Sequence, residues 1–126
     1  MTNVSTNSNN ENKVRVLWFS RHTMTVEQEN ALVAKLGPIC INQVDKTVNS
    51  AFELQDEVNN ADVVAIVAPI NLQQQFLKIA GDKPVITAIS KRELVPDENG
   101  GESKAVFIFQ EWQQIKKIDV ITEHFA

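Results

Sequence analysis

Short apolar runs alternate along this chain with segments whose apolar residues recur every three or four positions, and the alternation predicts a parallel sheet with crossover helices. The first run, Val14-Arg15-Val16-Leu17-Trp18-Phe19, predicts a strand, and the helix after it opens at Thr25. The Thr25 hydroxyl and Gln28 stand in capping-box spacing, and the expected apolar stripe is Val26, Leu32, Val33 and Leu36. Gly37-Pro38 ends that helix, and residues 39–44 predict the second strand. A second capping box, Ser50 with Glu53, opens a helix that buries Ala51, Leu54 and Val58. Residues 62–68 follow with Val63-Val64-Ala65-Ile66-Val67, a run without polar alternation that suits a central strand covered on both faces. A third helix starts near Asn71, carries Leu72, Phe76, Ile79 and Ala80 on one side, and stops at Gly81. The fourth strand is expected over residues 84–89.

Beyond residue 89 the pattern changes. Extended runs at 93–95 and 104–109 flank Pro96-Asp97-Glu98-Asn99-Gly100-Gly101, which reads as a β-hairpin. Residues 115–125, with Ile118, Val120 and Ile121 among charges, are open to a final strand or a short helix. Residues 1–12 are nearly all small or amide side chains and are expected to be a disordered polar tail, with residues 13–126 forming one domain. A chain of 126 residues, 43% of them hydrophobic, buries one core rather than two.

Composition narrows the partners. A net charge of −4 argues against a surface for long DNA or RNA, which requires many neutralised phosphates, but leaves room for a small anion held by a few local cations. Cys40 is the only cysteine, so neither an internal disulfide nor a thiolate metal cluster can form; it reads as a small buried residue of the second strand. No apolar run has membrane-spanning length, so no membrane association is expected and cytoplasmic residence is the default. No cofactor and no metal site are expected.

In open α/β sheets, ligands bind outside the carboxyl ends of the parallel strands. Three loops are expected there: Ser20-Arg21-His22-Thr23, Pro69-Ile70-Asn71 and Ser90-Lys91-Arg92. Backbone N–H groups at the start of the following helix favour an anion, and Arg21, Lys91 and Arg92 are candidates to converge on phosphate. Each side chain also has a plainer role: Arg21 and Arg92 as solvated loop residues or ion-pair partners, His22 as a surface histidine, Asn71 as a helix cap.

Two separated segments carry a family resemblance. Val16-Leu17-Trp18-Phe19-Ser20-Arg21-His22-Thr23-Met24-Thr25-Val26-Glu27-Gln28 resembles the opening of a family of small CRISPR-associated proteins, in which a first strand enters a Ser-His turn and a Thr-x-x-Gln helix start. Ile86-Thr87-Ala88-Ile89-Ser90-Lys91-Arg92-Glu93, followed after a Gly-containing turn by Lys104-Ala105-Val106-Phe107-Ile108-Phe109, resembles the same family's strand, basic turn and hairpin. That family is similar to the ring nucleases, Rossmann-like domains related to the CARF sensor of type III CRISPR systems. The resemblance implies a Rossmann-like (CARF-like) fold and an activity that binds and degrades cyclic oligoadenylate, typically cyclic tetra-adenylate, to end an antiviral signal. Where relatives carry a basic residue and a histidine, this chain has Ile108 and Phe109, which puts cleavage, though not binding, in question.

Such a ring can be cut without a metal when a ribose 2′-hydroxyl is held in line with its neighbouring phosphate. Arg21, Lys91 and Arg92 would stabilise the phosphorane charge and His22 would move the proton. Ser20, Thr23, Pro69, Asn71 and Ser90 would line and orient the ligand. A ring with repeated halves suits a two-fold homodimer whose loop edges face each other. Two other classes stay open: a binding protein that sequesters the ring uncut, and an unrelated Rossmann-like binder of a mononucleotide or a protein. Against the last stands the missing Gly-rich fingerprint, since the glycines are Gly37, Gly81, Gly100 and Gly101 alone.

Overall fold

A computed structural model of the chain describes residues 12–125, so residues 1–11 of the expected polar tail lie outside the described residues. The described chain is a small α/β fold. β1 (Val14–Phe19) leads to α1 (Val26–Leu36), β2 (Ile39–Val44), a 3-10 turn (Ala51–Leu54) continuing into α2 (Gln55–Asn59), β3 (Val63–Ile66), α3 (Ile70–Ala80), β4 (Val85–Val95) and β5 (Lys104–Gln114). The strands form one sheet in the order β2-β1-β3-β4-β5. β1 to β4 are mutually parallel and β5 is antiparallel to β4.

Strand alternation divides the core between the two faces. Leu17 and Phe19 of β1 join Val64, Ile66, Leu54, Val58, Leu72 and Phe76 on the side covered by α2 and α3. Val16 and Trp18 join Val63, Ala65, Met24 and Leu32 on the side covered by α1. β3 is buried at every position, as a run of apolar residues without alternation requires. Both capping boxes form: Thr25 Oγ1 accepts from the Gln28 N–H at 3.1 Å while Gln28 Oε1 accepts from the Thr25 N–H, and Ser50 pairs with Glu53 likewise. Ala51, Leu54 and Val58 are buried as expected.

Several expectations are corrected. Of the α1 stripe only Leu32 is fully buried, while Val26 and Val33 are exposed. The first turn of the helix is held by Trp112, whose Nε1 donates to the backbone carbonyl of Gln28 at 2.9 Å. Asn71 is not a helix cap, because α3 begins at Ile70 with Pro69 in the cap position and no side-chain cap bond. Cys40 is exposed rather than buried, since β2 is an edge strand. Residues 115–125 form neither strand nor helix, although Ile115 packs against the core.

The largest correction concerns Ser90-Lys91-Arg92. These residues are not a loop but lie inside β4, which runs unbroken to Val95 with a register shift between Ile89 and Ser90. β3 ends at Ile66, so residues 88–95 and their β5 partners leave the parallel sheet as a two-stranded ribbon, about 25 Å long at the usual rise. Polar side chains are tolerated there because both faces of a ribbon beyond the sheet edge reach water.

Candidate functional site

The chain leaves β1 toward β2 on one side and leaves β3 toward β4 on the other, so the loops after β1 and β3 diverge and open a crevice at the carboxyl edge. Ser20-Arg21-His22-Thr23 occupies that point, and it is held from several directions. Ser20, 6% exposed, accepts through Oγ from the His22 N–H at 3.1 Å. Trp18 Nε1 donates to the His22 carbonyl at 2.8 Å, and Gln43 Nε2 of β2 donates to the carbonyls of Ser20 at 3.0 Å and His22 at 3.1 Å. The backbone is thus fixed by buried or cross-strand donors, which leaves the Arg21 and His22 side chains exposed to solvent.

Two clefts flank this turn and share Ser20, His22 and Val67. The first, about 460 Å³, lies between the turn, the start of α1 and the β4–β5 ribbon, and includes Thr23, Glu27, Ser90, Phe107, Ile108 and Phe109. The second, about 480 Å³, lies between the turn, the loop after β2 and the start of α3, and includes Arg21, Lys46, Thr47, Pro69 and Asn71. Both volumes fall in the range of small-molecule sites.

Their electrostatics differ. The second cleft holds the two cations Arg21 and Lys46, and Arg21 donates to the Thr47 hydroxyl. It also faces the uncapped start of α3, whose first turn has no acidic residue. The first cleft has no lysine or arginine, and the α1 start beside it is closed by its capping box and carries Glu27 and Glu29. An anion is therefore favoured in the second cleft, on the α3 side, rather than at the α1 start.

The expected site residues fall into three places. Ser20, His22, Thr23 and Ser90 line the first cleft, and Arg21, Pro69 and Asn71 line the second together with Ser20 and His22. Lys91 and Arg92 line neither cleft; being adjacent in a strand they point to opposite faces, and Lys91 Nζ lies 3.7 Å from Glu93 Oε1. The expected convergence of Arg21, Lys91 and Arg92 is therefore not formed within one chain. Sequence reasoning missed Lys46, although the loop after a second parallel strand reaches the same edge as those after the first and third.

Among the described residues no group of three or more His, Cys, Asp or Glu side chains is placed to hold a metal ion, and no helix is long and apolar enough to cross a membrane. At the opposite, amino edge of the sheet stand Arg15 and Asp62. There the Arg15 guanidinium and backbone N–H both bond Asp62 and hold its carboxyl below the ordinary range, while Asp62 raises Arg15. Compared with known protein families, curated proteins and solved structures, the chain matches none.

Proposed function

We propose that this chain is a CARF-like ring nuclease, which binds cyclic oligoadenylate, cyclic tetra-adenylate being the expected ring, and opens it to remove a type III CRISPR signal. The observation that carries the reading is the immobilised Ser20-Arg21-His22-Thr23 turn, set between a cationic cleft and an aromatic one without cations at the sheet's switch point. A phosphate in the second cleft meets Arg21, Lys46 and the first N–H groups of α3. His22 stands at the boundary of both clefts, within reach of a ribose joining them.

In the reaction the ribose 2′-oxygen attacks the adjacent phosphorus and the bond from phosphorus to the 5′-oxygen breaks. The 2′-hydroxyl loses its proton to a base, the 5′-oxygen gains one, and the products are a 2′,3′-cyclic phosphate and a 5′-hydroxyl. His22 carries the imidazole of this turn and serves as its general acid or base. Arg21 and Lys46 stabilise the charge that builds on the phosphorane. A two-fold homodimer with facing carboxyl edges presents these groups twice to a ring of repeated halves, and the projecting ribbons bring Lys91 and Arg92 to the ring from outside.

The second reading is a protein that sequesters the ring uncut. It is favoured by Ile108 and Phe109, which line the first cleft and supply neither charge nor a proton. Incubating the purified protein with cyclic tetra-adenylate in EDTA and separating the products by liquid chromatography tests the choice. Linear products ending in a 2′,3′-cyclic phosphate, lost in His22→Ala, support the nuclease. Intact ring co-eluting with the protein selects the sequestering role, and intact ring eluting alone overturns both.

A further inference from the structure

We infer that the first cleft is a subsite for a purine base, in which Phe107 and Phe109 supply the stacking surface and Glu27 accepts a hydrogen bond from the exocyclic amine of the base. The inference rests on the proposed binding of cyclic oligoadenylate and assigns that ligand's parts to the two clefts.

The division of charge is the first argument. Every lysine or arginine at the crevice lies in the second cleft, so a nucleotide spanning the shared Ser20–His22 wall places its phosphate there and its uncharged base in the first cleft. A phosphate in the first cleft would instead face Glu27 without a compensating cation.

The aromatic arrangement is the second. In β5 the side chains of Phe107 and Phe109 share a face, and beyond the register shift Trp112 follows on that face, pairing with Ala88 as Phe109 pairs with Ser90. Phe109 meets Trp112 with ring centroids 5.8 Å apart, and Trp112 meets Trp18 at 5.7 Å, both edge-on. Trp112 is pinned in turn by its bond to the Gln28 carbonyl. Phe109 is thus backed by a fixed aromatic row reaching the core, while Phe107 at the row's outer end is 74% exposed. A phenylalanine this exposed, lining an open cleft, gains burial when a flat base stacks on it.

The hydrogen-bonding inventory is the third. Thr25 and Gln28 are consumed by the α1 capping box. Glu27 forms no salt bridge among the described residues and lines the cleft. A carboxylate there accepts a hydrogen bond from the exocyclic amine of adenine.

Trp18 and Trp112 are the only tryptophans and both belong to this row, so intrinsic fluorescence reports on the cleft directly. The test is a fluorescence titration of wild type, Phe107→Ala, Phe107→Tyr and Glu27→Ala with cyclic tetra-adenylate and adenosine monophosphate. We expect ring affinity to fall about tenfold in Phe107→Ala and to return in Phe107→Tyr, with the affinity for adenosine monophosphate falling in Glu27→Ala. Ring binding that is unchanged in Phe107→Ala overturns the stacking subsite while leaving the proposed function in place. Unchanged adenosine monophosphate affinity in Glu27→Ala overturns the role of that carboxylate. Adenosine monophosphate binding that depends on Phe107, without any ring binding, supports the subsite and overturns the proposed function. Binding of none of the probes overturns both.

Discussion

The indole Nε1 of Trp18 donates to the backbone carbonyl of His22 at 2.8 Å, so a residue 2% exposed in the core sets the position of the turn that carries the candidate proton-transfer group. Core packing at β1 is in this way transmitted four residues along the chain to a solvent-facing imidazole. Gln43 closes the same turn from β2.

Gln43→Ala is expected to remove both cross-strand bonds at little cost to the fold. Gln43 is exposed, so the loss of stability is about 1 kcal/mol or less. The effect on the turn is larger: amide exchange at His22 and Thr23 should accelerate, and ring cleavage should fall by about tenfold to a hundredfold through misplacement alone. Hydrogen exchange alongside a denaturant midpoint separates the two effects.

Thr25→Ala is expected to open the N-terminus of α1. The capping box satisfies the Gln28 and Thr25 N–H groups reciprocally, and loss of the hydroxyl costs about 1 kcal/mol. The urea midpoint should drop accordingly with an unchanged slope, because the surface exposed on unfolding is the same.

Asp62 makes stability depend on pH in the acid range. Its carboxyl is held low chiefly by the Arg15 side chain and then by the Arg15 N–H. A carboxylate lowered in the folded state stabilises above its unfolded value, about 3.9, and that contribution is lost as pH falls through the lowered folded value. The pair is 55% and 45% exposed, so the effect is small and screened by salt. Denaturation midpoints of wild type and Asp62→Asn should differ at neutral pH, converge below the ordinary carboxylate value, and differ less in 1 M salt.

Much of the scaffold was legible because its causes are local. The unbroken apolar run of β3, the paired Thr25–Gln28 and Ser50–Glu53 boxes, and the Gly37 and Gly81 stops all act within a few residues. What was not legible depends on neighbours distant in sequence. Ser90, Lys91 and Arg92 look like a turn, but pairing with Phe109, Ile108 and Phe107 makes them a strand. Cys40 looks buried until β2 is known to be an edge, and Val26 looks like core until the sheet is seen to bury α1 fully only at Leu32. Within the site, the turn at residues 20–23 was visible from its polarity after an apolar strand. Lys46 was not, because only the strand order brings the loop after β2 beside Arg21.

The central claim is that the turn after β1 holds a ring phosphate through the second cleft. Isothermal titration of wild type, Arg21→Ala and Lys46→Ala with cyclic tetra-adenylate at two salt concentrations tests it most directly. The account predicts saturable binding by wild type, weakened about tenfold or more in each variant, with the dependence of log affinity on log salt reduced by about 0.7 for each phosphate contact removed. Absence of binding by wild type, or affinity and salt dependence in both variants unchanged from wild type, would contradict it.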